Sequence, residues 1–144
     1  MTTKRRQRLL WLACALAIAA LIFFQSSRVA IAVQDRPLNL VFGESQEQRN
    51  VLFNEWGHVA AHLGLYAALA FCLHRAGGRG SFTTGLLAVA LASTYGIGDE
   101  WHQSLTSVRG ASAQDMALDF LGAMTGAVTS TLLYCVVRGC SAED

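Results

Sequence analysis

Charge is scarce in this chain. Only 15% of its 144 residues are Asp, Glu, Lys or Arg, where a typical soluble domain carries about 25%. With 53% hydrophobic residues, that deficit argues against a soluble enzyme and for an integral membrane protein. It also excludes disorder over most of the length, because disorder needs low hydrophobicity and high charge. Proline is nearly absent, Pro37 being the single one. The ten-residue alternating segments of a membrane β-barrel are missing. Net charge is +1, and no basic face or stripe offers a nucleic-acid footprint. The four cysteines, Cys14, Cys72, Cys135 and Cys140, show no C-x-x-C pairing of the metal type. They read as small buried hydrophobes.

What remains is a series of apolar runs. Spans are predicted at about 9–25, 56–73, 82–97 and 116–137. Each must be helical, since hydrocarbon offers the backbone no hydrogen-bond partner. The fold class expected is all-α: a polytopic four-transmembrane-helix bundle. A basic head at 1–8 precedes the membrane domain at 9–137, and a short tail at 138–144 follows it. The first run resembles a signal peptide, but it is long for one and no small-x-small cleavage site closes it. It is therefore expected to be retained.

The basic residues set the orientation. With the N-terminus inside, Lys4, Arg5, Arg6, Arg8, Arg75, Arg79 and Arg138 fall on the cytoplasmic side. Arg28, Arg36, Arg49 and Arg109 fall outside. The excess inside predicts both termini in the cytoplasm. Asp35, Glu44, Glu47, Glu55, Asp99, Glu100, Asp115 and Asp119, with His58, His62 and His102, then gather at or near the outer face. The long outer segment 26–54 is expected to be a loop, in which LNLVF at 38–42 reads as a short interfacial element.

Spacing within that polar set suggests a site. His58, His62 and Tyr66 are four apart and share one helix face. Asp115 and Asp119 are also four apart, and Gly122-x-x-x-Gly126 continues their face. Those glycines are expected to let a neighbouring helix approach closely. Between the third and fourth spans lies a polar stretch from Gly98 to Gly110 with Asp99, Glu100, His102, Gln103 and Arg109. Three readings compete. The polar groups are helix-to-helix glue, or ligands of a divalent metal, or the lining of a pocket for an anion. In the last, Arg109 clamps a phosphate or carboxylate and a histidine moves a proton.

These stretches together resemble the VanZ-like family of small bacterial membrane proteins, named for a teicoplanin-resistance protein. The resemblance rests on His58-Val-Ala-Ala-His62 with Tyr66, on Asp99-Glu100-Trp101-His102-Gln103 followed by Arg109, and on Asp115, Asp119, Gly122 and Gly126. Phe24-Gln25-Ser26-Ser27, at the end of the first span, is also similar to family members. The chain departs from the family pattern at His58, where relatives usually carry lysine. This weighs against that position as a shared metal ligand. Thr106-Ser107-Val108 stands where relatives often have proline and glycine. The namesake's link to low-level glycopeptide resistance implies an effect at the cell surface, without fixing a molecular activity.

The function expected is binding or modification of an anionic lipid-linked or envelope molecule in an outward-facing pocket of the inner membrane. His62, Glu100 and Asp119 are the proton-handling candidates. Arg109, Gln103, Tyr66, Asp99, Asp115 and His58 are the substrate-binding candidates. If the site is enzymatic, hydrolysis or group transfer at a phosphate or ester fits the set best. No serine or cysteine nucleophile stands beside a base at clear spacing. No cofactor and no metal is assigned. Partners expected are membrane lipids or a lipid-linked anionic molecule, with no nucleic acid; a homo-oligomer is allowed. The alternative is a non-enzymatic structural or partner-binding role. A transporter is disfavoured, since four short helices are few for alternating access.

Overall fold

The computed structural model describes residues 2–32, 46–78, 80–105 and 112–139. Its elements are α1 (Thr3–Ala32), α2 (Gln46–Gly77), α3 (Phe82–Leu105) and α4 (Ala113–Gly139). Three helices are long and apolar enough to cross a membrane, over Thr3–Gln25, Trp56–Gly77 and Ala113–Val137. The chain is thus an all-α polytopic membrane protein. α3 is not among those three. Thr83, Thr84, Ser93, Thr94 and Tyr95 dilute its apolar content, and Asp99 and Glu100 charge its last third.

The helices run further than the apolar runs alone. α1 continues to Ala32 and α2 begins at Gln46, which takes much of the expected 26–54 loop into helix. The LNLVF element lies outside the described residues. The larger correction concerns α3. Asp99, Glu100, His102 and Gln103 were expected on a connecting stretch, but they belong to the last turns of a continuous helix. An i, i+4 hydrogen bond from Gln103 Nε2 to Asp99 Oδ2, 2.9 Å long, supports those turns.

The turns have local causes. Gly78 takes a φ of 68°, a left-handed position open to glycine that ends α2. The Gly78 amide donates to the Arg75 carbonyl at 3.1 Å. Ser81 caps α3, its Oγ accepting from the Thr84 amide at 3.3 Å. Ser112 does the same for α4, accepting from the Asp115 amide at 3.2 Å.

Small residues dominate the core. Ala15, Ala70, Ala92 and Ala123 are buried with Ile22, Leu69, Tyr66 and Cys72. α2 packs most extensively on α4, and α1 lies against α2. A Cβ at Gly122 would come within 2.6 Å of the Leu63 carbonyl oxygen, and one at Gly126 would overlap the carbonyl of Ala67. These two glycines therefore lie directly on the α2 backbone. Tyr95 ties α3 to α1 by donating its hydroxyl to the Ala19 carbonyl at 2.6 Å. Large apolar side chains, among them Leu16, Leu87, Leu91, Leu132 and Val136, stand outward, as a lipid-facing surface requires. Cys72 is buried, but Cys14 and Cys135 are exposed. That corrects the expectation of burial: in an apolar solvent, a weakly polar thiol has no reason to turn inward.

The bundle has two distinct ends. At one end Arg8 packs on Gly78, and Tyr134 packs on Gly80. Arg75 lies over the Trp11 ring there, 5.6 Å from its centroid. The opposite end collects the first turns of α4, the last turns of α3 and the α2 stripe that starts at His58.

Candidate functional site

The polar end is built from α2 and α4, with α3 closing one side. Four-residue spacing puts His58 and His62 on one stripe of α2, and Asp115 and Asp119 on one stripe of α4. Helix contact brings the stripes into register. His58 Nε2 lies 2.8 Å from Asp115 Oδ1, and His62 Nδ1 lies 2.6 Å from Asp119 Oδ1. The two pairs form successive rungs, each joining residues 57 positions apart. The imidazoles also touch edge to face, their centroids 4.3 Å apart. Their exposure is graded: the His58 and Asp115 side chains are 24% and 7% exposed, those of His62 and Asp119 13% and 2%. The outer rung meets the surroundings and the inner rung is enclosed.

Below these rungs stands Tyr66, 1% exposed, its ring parallel to that of His62 at 6.3 Å. Gly96 of α3 makes this layer feasible. A Cβ there would stand 2.7 Å from Asp119 Oδ2 and 3.1 Å from Tyr66 Cε1. The missing side chain leaves room for both groups. Asp119 Oδ2 and the Tyr66 hydroxyl are buried without hydrogen-bond partners.

Glu100 stands one turn beyond Gly96 and is 2% exposed. Its Oε2 accepts the Ser112 amide at 2.8 Å, while its Oε1 is buried without a partner. Burial pushes the Glu100 carboxyl above the ordinary range. The Ser112 amide opposes that rise, nearby Asp115 and Asp119 reinforce it, and His62 also opposes it. Asp99, on the same turn, is buried at 8% exposure and accepts from Gln103.

The structure therefore gathers His58, His62, Asp115 and Asp119, with Tyr66 and Glu100 adjoining them. Gly122 and Gly126 hold α4 against α2 beside them. His102 separates from this set: its ring packs on Phe23 of α1, with centroids 4.9 Å apart. Arg109 lies outside the described residues, in the 106–111 connection between α3 and α4. Two contributors escaped sequence reasoning. Ser112 links the Glu100 carboxylate to the start of α4, and its Ser-x-x-Asp spacing before an apolar run was a readable capping signal. Gly96 carried no signal by itself, because its role depends on which side chains face it.

Chemically, the arrangement can hold and move protons. Each histidine has a carboxylate within hydrogen-bond distance that can fix its tautomer. An enclosed carboxyl with a free oxygen stands close by.

The VanZ/LLP1 family pattern matches residues 11–136, and the chain belongs to that family. Comparison with curated proteins and with solved structures returns no match.

Proposed function

We propose that this VanZ/LLP1 family member is a four-span inner-membrane protein with both termini in the cytoplasm. On this reading its polar end faces outward and binds or chemically alters an anionic lipid-linked or envelope molecule. The basic residues of the head and of the α2–α3 turn support the orientation. The packing of Arg8 on Gly78, which puts both at one end of the bundle, agrees with it.

One observation carries the reading: Glu100, almost fully enclosed with a partnerless oxygen, stands at the same end as the two His–Asp rungs. Ionisable groups at membrane depth are costly and generally mark a functional site. His62, Glu100 and Asp119 handle protons. Arg109 contacts the anionic head group, and His58, Asp115, Asp99, Gln103 and Tyr66 shape and orient the pocket. Head-group hydrolysis or transfer at a phosphate or ester uses such a set without a covalent enzyme intermediate.

Native mass spectrometry of the intact protein in mild detergent, supplied with a polyprenyl phosphate, tests this. The wild type should retain the lipid, and Arg109→Ala should lose it. Equal retention by both proteins would remove the reading.

A second reading has support of its own, since both rungs tie α2 to α4. If they are packing contacts alone, His62→Ala should lower folded yield or partner pull-down, and no lipid should be retained by the wild type.

A further inference from the structure

The two rungs bring together more than a pair of hydrogen bonds. One ligand atom each from His58, His62 and Asp115 lies within 4.8 Å of the other two. We propose that these three residues form a divalent-metal site of the zinc class at the polar end of the bundle. The inference goes beyond the anionic-lipid reading and stands without it.

The donor chemistry fits. Two imidazoles and one carboxylate form a recurrent protein ligand set for zinc, one that leaves a coordination position open. Tetrahedral bonds of about 2.0–2.2 Å set donor atoms about 3.4 Å apart, so the closest pair must open slightly while the wider separations, all within 4.8 Å, need at most a modest closing. Small side-chain rotations can supply both changes, and His58 Nε2 and Asp115 Oδ1 already point at one another across 2.8 Å. A cation would sit between them in place of the shared hydrogen.

A second observation is independent of that triad. Asp119 Oδ1 lies 2.6 Å from His62 Nδ1. With the Nδ1–H donated to Asp119, the lone pair of His62 is left on Nε2. A carboxylate that fixes the tautomer of a ligating histidine is the usual outer partner of such a metal site. Asp119 is buried, and its described hydrogen bond is the one to His62. Its second oxygen, and Oε1 of Glu100, are buried and unpartnered beside the site. Four acids, Asp99, Glu100, Asp115 and Asp119, are buried at this end. A bound dication offsets that negative charge and supplies an attachment point for an anionic oxygen.

His74 provides the internal control. It is on the same helix and more enclosed than His58 or His62, at 2% exposure, with no hydrogen-bond partner on either ring nitrogen. Position on α2 and burial alone therefore do not make a ligand set.

The test is a Co2+ titration of the full-length protein in detergent, after treatment with a chelator. Visible absorption reads nitrogen and oxygen ligation at the ion. The expected result is about one Co2+ per chain with a ligand-field band, displaced by Zn2+. His62→Ala should weaken binding by about 100-fold, and Asp119→Asn, which acts through His62, by about 10-fold. His74→Leu should leave binding unchanged. His58→Lys guards against loss of fold, since it keeps a cation for Asp115 while removing a neutral nitrogen donor. It should stay folded and lose the band. The proposal is overturned if wild type binds Co2+ no better than folded His58→Lys, or if His74→Leu weakens binding as much as His62→Ala. A Co2+ band without retention of polyprenyl phosphate would count against the lipid reading and support this one. Lipid retention without a band would overturn this one alone.

Discussion

α2 carries three histidines, and its two ends treat them differently. His58 and His62 each face an aspartate of α4. His74, also enclosed, has no hydrogen-bond partner at either nitrogen. All three sit on one four-residue series through His58, His62, Tyr66, Ala70 and His74. The difference follows from what each histidine meets: a four-residue step drifts about 40° around a 3.6-residue helix, so the series that turns His58 and His62 to Asp115 and Asp119 of α4 has carried His74 round to Gly85 of α3. A polar residue on a buried stripe becomes part of a site only where the facing helix answers it.

The largest expected effect would break the comparison at its foundation. Gly126→Leu drives a side chain into the Ala67 carbonyl, which only a shift of the whole helix can relieve. Overpacking of this kind should cost about 3 kcal/mol or more. It should abolish a monodisperse, folded peak in size-exclusion chromatography. Next come the histidines themselves. His62→Leu strips Asp119 of its partner in an enclosed setting and should cost about 2–3 kcal/mol. His74→Leu removes two buried, unpaired nitrogens and should fall within about 1 kcal/mol of wild type, on the stabilising side. Thermal unfolding in one detergent measures both. Equal losses would erase the distinction between the two ends.

Much of the polar end was legible in the sequence, because it depends on helical spacing. His58, His62 and Tyr66 share a face by arithmetic, as do Asp115, Asp119, Gly122 and Gly126. That the histidine stripe faces the bundle follows from the cost of polar groups facing lipid, whereas its meeting with the α4 aspartates is read from the structure. The end of α3 was not legible. Its apolar run stops near Ile97, and the polar run after it looked like a connection. The helix continues through Asp99 and Gln103 because their side chains bond to each other and because Glu100 finds the Ser112 amide. Neither partnership is a periodic signal. The role of Gly96 was hidden for the same reason: it is written in the residues that fill its missing side chain.

Smaller effects sharpen the account at Glu100. Glu100→Gln keeps an acceptor for the Ser112 amide and should retain near-wild-type stability. Glu100→Ala leaves that amide without its acceptor and should lose about 1–2 kcal/mol. The pH dependence is the smallest expected effect. Burial raises the Glu100 carboxyl, so the folded protein holds this proton more tightly than the unfolded chain does. The Glu100 contribution therefore favours folding at low pH. It declines as pH climbs from the ordinary value of 4.5 towards the raised folded value. Glu100→Gln should flatten that part of the stability profile measured from pH 4 upward, with Asp115, Asp119 and His62 left in place around it.

The most direct test of the central claim compares His62→Leu with His74→Leu for affinity towards a polyprenyl phosphate, titrated by intrinsic tryptophan fluorescence in detergent. If the polar end of α2 is a ligand site, His62→Leu should lose at least about 10-fold in affinity, roughly 1.4 kcal/mol. His74→Leu should bind as the wild type does. Identical affinities in the two variants would contradict the account and leave the His–Asp rungs as packing contacts.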